Sequence, residues 1–544
     1  MLAYLAIMKK LILISVPIVA ALVLGTTYYF GIKAEESLTE QKDLLSKSSF
    51  ITIESHQYER GWFSSTQTAV IRLKPTLLHN VRPYLPDNLS KVFNEPITVV
   101  NHVQHGPLAG GFHFAQAHVE TEFKYQPEVA KILARFFGEH APATLSNTIA
   151  FGGAGEYQLN IPAFDYEELS GIKLNWKGLS SNVNYKRHFD AFSAAYRIPA
   201  LHVILADKGD FALEQLDIDT NTTAGTNGLA LGDSSVKVKK FAVQWKEGID
   251  YNVKLNELVN LVTDLQIGAF INPNGTVAPS QITLDQLQFN TKTTENGAFI
   301  NSEGHFQFKN LAYGKELYGP LNINVLAEHL DAKGLIAIKT KMSEIADKQM
   351  SNEEIQNTLL HTVRTDASPL FTQNPVIQVK AFDFKMPDGQ IKVNGKLSFN
   401  GLQTPDLNDF NVMVRKTHAD FNVHVPQKIL EQLAINQART IFSVNPEDEA
   451  AGLANINDIN ETLRLMVDST INSMAREGYL KRNNGNVDMR INLKNNELYL
   501  NDKLFKNEPE PELNDEDLLS EDELAAEVAN TSSASAPLSN ANKP

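Results

Sequence analysis

Four histidines, His102, His105, His113 and His118, fall within seventeen residues, and imidazoles at such density are what a zinc-like ion needs. Their separations of three and five, in a strand-like stretch, put each pair on opposite faces. No H-E-x-x-H helix is present to gather two of them on one side. Ser170-Gly171-Ile172-Lys173 spells the S-x-x-K of a penicillin-recognising enzyme, but it leads into a strand and no K-T-G follows. Asp165, Glu167 and Glu168 have the chemistry of a glycosidase acid and base. Carboxylates beside a turn are ordinarily solvated, however. Phe151-Gly152-Gly153-Ala154-Gly155 is glycine-rich without phosphate-loop spacing and reads as a connection between strands. No G-x-S-x-G elbow occurs. These residues predict no enzyme, no metal and no cofactor.

The chain has 544 residues and no cysteine, which excludes disulfides, thiolate metal sites and CxxC redox chemistry. That suits an oxidising bacterial compartment, where a free thiol is a liability. The net charge is −15, and residues 507–544 contribute −9 of it through ten acidic side chains and one lysine. With no cluster of five basic residues, nucleic acid is not an expected partner. The acidic segment has no aromatic residue, so composition predicts a disordered tail over 507–544.

Stepping from chemistry to the elements that would position it, residues 11–30 form an uncharged run of twenty after Lys9 and Lys10. A hydrocarbon core about 30 Å thick needs roughly 20 apolar residues in a helix. The run is too long for a cleaved signal's apolar region, and Val23-Leu24-Gly25 is a poor cleavage match. Tyr28, Tyr29 and Phe30 close it, as aromatics do at a bilayer interface. The reading is a signal-anchor: a cytoplasmic head at 1–10, a transmembrane helix at 11–30 and a stalk at 31–50, with the bulk of the chain periplasmic.

The remainder alternates in the manner of half-buried strands. In Gly171 to Gly178, for example, Ile172, Leu174 and Trp176 face one way and Lys173 and Asn175 the other. Further strands are predicted at 112–123, 156–161, 192–198, 211–220, 236–245, 282–289, 299–308, 321–326, 376–386 and 390–399. Pro387-Asp388-Gly389 and Asn394-Gly395 read as tight turns. Asn394-Gly395 is echoed by Asn501-Asp502, each followed by Lys-Leu. Helices come late: one capped by Ser351 and Glu354, one from Pro426, one from Asn457 to Arg476. The predicted class is α+β, a predominantly antiparallel β meander with a few late helices packed on it and one N-terminal transmembrane helix. A β-rich body spans 51–345 and an α+β part spans 346–506.

Two segments stand out. One is Tyr58 followed by Glu59-Arg60-Gly61-Trp62-Phe63-Ser64-Ser65; the other is His102 to Leu108, containing His105-Gly106-Pro107. With Trp176-Lys177-Gly178-Leu179, Gly478-Tyr479 and Asn501-Asp502-Lys503, they make the chain resemble the YdgA-like family of Gram-negative bacterial envelope proteins, a domain of unknown function. The resemblance runs from the anchor to about Lys506, with no motif placed over 220–345. Asn501-Asp502-Lys503-Leu504 stands where the family usually has Asn-Gly-Lys-Pro. It implies an inner-membrane anchor and a periplasmic body, and no reaction. Physically the two segments read as folding corners or as a partner-binding edge near the membrane.

The function expected is therefore that of an inner-membrane-anchored periplasmic protein acting by binding, with an envelope protein or phospholipid as partner. The alternative is a lipid-binding or lipid-transfer protein using an apolar β groove. Such a groove predicts an apolar strip too large for the late helices to cover. Oligomeric state is not legible.

Overall fold

The computed structural model describes residues 2–46, 48, 50–74, 92–111, 113–245, 281–346, 348, 350–441 and 456–505, with side chains from residue 22 onward apart from a few at segment ends. The predicted tail at 507–544 lies outside the described residues.

The strands of the N-terminal half are β1 (Ile51–Arg60), β2 (Ser64–Leu73), β3 (Ile97–His105), β4 (Leu108–Ala109), β5 (His113–Phe114), β6 (Ala117–Lys124), β7 (Thr144–Ile149), β8 (Gly155–Ile161), β9 (Phe164–Glu167), β10 (Ile172–Trp176) and β11 (Leu179–Tyr185). Long central strands follow: β12 (Ala191–Leu205), β13 (Gly209–Ala224), β14 (Ala230–Trp245), β15 (Gln281–Asn296) and β16 (Phe299–Phe308). The C-terminal half adds β17 (Asn310–Tyr313), β18 (Glu316–Tyr318), β19 (Leu321–Asp331), β20 (Val376–Met386), β21 (Gly389–Phe399), β22 (Thr417–Pro426), β23 (Lys481–Asn483), β24 (Asn486–Lys494), β25 (Glu497–Leu500) and β26 (Lys503–Leu504). The helices are α1 (Leu2–Ser46), α2 (Pro127–Phe137), α3 (Ala332–Ala346), α4 (Asn352–Arg364), α5 (Pro369–Thr372), α6 (Phe410–Arg415), α7 (Gln427–Ile441) and α8 (Ile456–Arg476).

All strands but β4 and β5 join one sheet of 24, in which every pairing is antiparallel. The main path is β1-β2-β3-β6-β7-β8-β11-β12-β13-β14-β15-β16-β19-β20-β21-β22-β24. Because β19 pairs with β20, the sheet crosses the boundary drawn at 345 without a break. Helices cover its two ends. The last turns of α1 lie on β1, β3 and β6, where Ala34 and Leu38 are buried with Val103, Val119 and Ile149. At the other end Ile429 of α7 and Ile471 of α8 sit in a core with Phe384, Ile391, Val425 and Val487.

Several sequence expectations change. Residues 31–46, read as a stalk, continue α1 and dock on the sheet, because Ala34 and Leu38 repeat at a helical spacing and supply an apolar stripe. Among the described residues no helix is long and apolar enough to cross a membrane. The run at 11–30 falls within α1, but residues 11–21 have no described side chains. Helices are not confined to the late chain: α2 and α3 precede the capped α4, which packs chiefly on α3 rather than on the sheet. The strand placed at 112–123 begins at Ala117, preceded by the small β4–β5 ribbon.

Asn394-Gly395 is not a turn. It runs through the middle of β21, where a Cβ on Gly395 would stand 2.4 Å from the Phe421 ring, so the glycine makes room for a cross-strand aromatic. The echo at Asn501-Asp502 is a genuine turn with positive φ at both residues.

The central strands are 15 or 16 residues long, about twice their predicted length in β12 and β15. Each pairing skips the same line of residues, Pro199, Gln215, Lys239 and Gln286, with positive φ at Gln215 and Gln286. One residue is skipped on each strand, so the register holds while the alternation of faces flips at that line. Leu284 and Leu287, three apart, consequently pack on the same core.

Candidate functional site: a clamped helix and an open apolar face

The hairpin between β1 and β2 carries Glu59 to Ser65. Gly61 turns it: its N–H donates to the Ser64 carbonyl at 3.0 Å, and a Cβ there would lie 2.4 Å from that oxygen. Glu59 accepts from Gln57 on the outer face. Arg60 reaches the other way, pairing with Glu35 of α1 at 2.9 Å and lying over the Tyr28 ring. The Trp62 indole N–H donates to the Leu24 carbonyl at 3.2 Å, and its ring stacks beside Tyr28 with centroids 4.9 Å apart.

His105, at the end of β3, joins this corner to the second segment. Its N–H donates to the Phe63 carbonyl at 2.9 Å. Its Nε2 lies 2.9 Å from the buried Ser65 hydroxyl, and its Nδ1 lies 3.3 Å from the Trp62 carbonyl. A neutral ring with the proton on Nδ1 satisfies both. Burial holds the imidazole below its ordinary pKa; the bond to Trp62 opposes this and the Arg60 charge adds to it. A Cβ on Gly31 would come within 2.7 Å of the imidazole, so the glycine in α1 allows the helix to lie on His105. Gly106, joined to Pro107 by a cis peptide bond, donates to the Gln116 carbonyl, and the Gln116 amide reaches Ser37 of α1 at 3.3 Å.

The structure thus brings the two segments together around one helix. Leu24, Tyr28, Glu35 and Ser37 are their partners, and the sequence reading did not connect them to α1. A signal was Gly31, set directly after Tyr28, Tyr29 and Phe30.

Further along α1, Gln41 is held in a buried polar brace. Its Oε1 accepts from the Tyr157 hydroxyl at 2.5 Å and from Asn147 at 3.2 Å; its amide N–H donates to Tyr185 Oη at 3.1 Å. Tyr185 donates in turn to Asn147 at 2.8 Å. Burial raises both phenols, Tyr185 to about 12, so neither ionises near neutrality. The brace fixes the helix; it has no proton to give. Beside it a cavity of about 490 Å³ opens between α1 and the sheet, lined by Leu38, Leu45, Ile71, Val99, Phe123 and Leu145 among others.

Register shows what this cavity belongs to. One row of paired residues runs Tyr196–Ile218–Val236–Phe289–Phe306 through β12 to β16. It continues as Ile323–Phe382–Val393–Val423–Met489 through β19 to β24. Ten strands at about 4.8 Å make an apolar track on the order of 40 Å long. Toward α1 the same row becomes a polar ladder, Gln67–Asn101–Thr121, linked by side-chain bonds of 2.7 Å.

Helices α7 and α8 cover the track at its β20–β24 end. Among the described residues no helix makes more than a marginal contact with β12 to β16, and Phe289 is 43% exposed. The opposite face there is charged, with Arg197 paired to Asp217 and Asp219 and Lys239 to Glu214.

The residues singled out for chemistry disperse. His102 faces outward to Glu122, while His118 pairs with Thr148 on the other strand flank. Among the described residues no group of three His, Asp or Glu gathers as a metal site. Ser170 donates to Glu168 and Lys173 pairs with Glu167, so no Ser–Lys dyad forms. Glu168 is held below the ordinary carboxylate range, first by the Tyr166 hydroxyl and then by Ser170, the opposite of what a general acid needs.

The family described as bacterial protein of unknown function (DUF945) matches residues 8–508. No curated protein matches the chain.

Proposed function

Since the chain belongs to the DUF945 family of bacterial proteins of unknown function, we propose a role that starts from its apolar face. The protein is a single-pass envelope protein, held in the inner membrane by residues 11–30 with its N-terminus cytoplasmic and its β-rich body in the periplasm. Within the family it belongs to the YdgA-like group. The body acts by binding, not by catalysis, and its ligand is the acyl chain of a membrane lipid.

One observation carries this reading: the apolar row from Tyr196 to Met489 is unbroken, yet among the described residues helices cover it at its β20–β24 end and leave β12 to β15 open. Apolar area left to water costs about 25 cal/mol per Å², so a track of this length favours an apolar occupant. An acyl chain spans half of a core about 30 Å thick, roughly 15 Å, and fits along three or four strands of the track. A closed protein-binding body would instead bury the middle strands and leave one compact patch.

Native mass spectrometry of the full-length chain released from detergent tests this. The wild type carries retained phospholipid; an Ile218→Glu/Val236→Glu variant loses that adduct while keeping any lipid held by the anchor. Equal lipid on both proteins would contradict acyl binding in the track.

A further inference from the structure

Around the point where α1 enters the body, apolar side chains stand out into solvent. Trp62 and Phe63 of the β1–β2 hairpin are 51% and 58% exposed, Leu108 of β4 is 63% exposed and Phe114 of β5 is 77% exposed. They are not scattered. Phe114 packs edge-on against Phe151, Phe151 against Phe30 of α1, and Trp62 against Tyr28 of α1, all with centroids 4.9 to 5.0 Å apart. The β1–β2 hairpin and the β7–β8 connection thus meet the same two turns of α1, and the β4–β5 ribbon joins them through Phe151, so that exposed apolar groups collect as a collar around that part of the helix.

The layering along α1 identifies the occupant. On the near side Leu22, Val23 and Leu24 are exposed and uncharged. The collar follows, contacting α1 from Leu24 to Phe30, a rise of about 9 Å. The charged residues of α1 itself come beyond it, in the Arg60–Glu35 and Lys33–Glu36 pairs, with the Arg60 guanidinium reaching back over the Tyr28 ring. Apolar, then aromatic with polar tips, then ionic is the profile of one bilayer interface, whose thickness is about 5–8 Å on each side of the core. A protein partner or a second copy would have no reason to match that order along a single axis.

We infer that the collar of Trp62, Phe63, Leu108, Phe114 and Phe151 is a bilayer-docking surface. It seats the body against the membrane from which α1 emerges and holds the β1–β2 hairpin in the headgroup zone. This rests on residues 11–30 being the anchor, and it adds that the body lies on the bilayer instead of hanging below it.

Tryptophan quenching in the full-length chain, reconstituted into phosphatidylcholine vesicles, tests the docking. The lipid is brominated either near the glycerol or near the chain ends. Trp62 is one of three tryptophans, so its signal is the difference between wild type and Trp62→Phe. The expected result is quenching by the shallow bromines, several-fold weaker with the deep ones, and lost in Trp62→Phe. Vesicle association resistant to alkaline carbonate, with Trp62 unquenched by either lipid, would overturn the collar while leaving the anchor standing. Trp62 shielded from both bromolipid and aqueous iodide would point to a protein cover and overturn it equally. Release of the chain by carbonate would show the anchor reading itself to be wrong.

Discussion

The two regions of this sheet use the same apolar row for opposite ends. Under α7 and α8, Phe384 is fully buried and stacks on Tyr318. Three strands away on the same face, Phe289 keeps 43% of its surface in water. Side-chain type does not distinguish the two places; among the described residues, helix cover does. A fold that needed the row only for stability would have covered all of it. On the proposed reading the open strands are the binding surface, and the helix-covered end holds them in shape.

The largest contrast should appear on truncation. Phe384→Ala should cost about 3–5 kcal/mol by lost burial and a cavity, whereas Phe289→Ala should cost no more than about 1.5. Urea midpoints of the two variants check this, and similar losses would erase the distinction between closed and open regions. Next, Gln41→Leu should cost about 1–3 kcal/mol, since Tyr157, Asn147 and Tyr185 are left buried with an apolar neighbour. The same measurement reads it, and a neutral outcome would mean that the brace does not hold α1.

Arg60→Ala should cost less, about 1 kcal/mol or below, because the Arg60–Glu35 pair is partly exposed. Thermal melts at low and high salt would show the small loss shrinking as charges are screened.

The smallest effect is pH-dependent and belongs to the clamp. His105 is held below its ordinary value of 6.5 in the fold, so only the unfolded chain gains a proton at mild acidity. Stability from this residue is full above about pH 6.5 and falls as pH drops toward the folded-state pKa. Melting temperatures between pH 7.5 and 5 should fall less steeply for His105→Gln than for wild type. Parallel curves would remove His105 as a contributor.

Much of the sheet was legible because its pattern is local. Wet and dry faces alternate in β6 and in the second half of β8, and punctuation such as Pro387-Asp388 marks real turns. The reading failed where a distant contact decides. Gly395 looks like a turn residue, but its small size serves Phe421 on the next strand. The predicted strands also end early: they omit residues 199–205 of β12 and 290–296 of β15, the latter a polar stretch whose strand character comes from its pairing with β14 and β16. The two corner segments were conspicuous as sequence, yet their shared partner is α1, and nothing local in either one specifies a helix 25 to 80 residues earlier. The apolar row itself is invisible in the chain, since each strand contributes one residue to it and only the register lines them up.

The central claim is tested most directly by a photocrosslinking benzoylphenylalanine placed in living cells at Phe289, on the open track, and at the adjacent Gln288, on the polar face. The account predicts a phospholipid-mass adduct at 289 and none at 288. Equal adducts at both positions, or a crosslink at 289 only to the chain itself or to another protein, would contradict it.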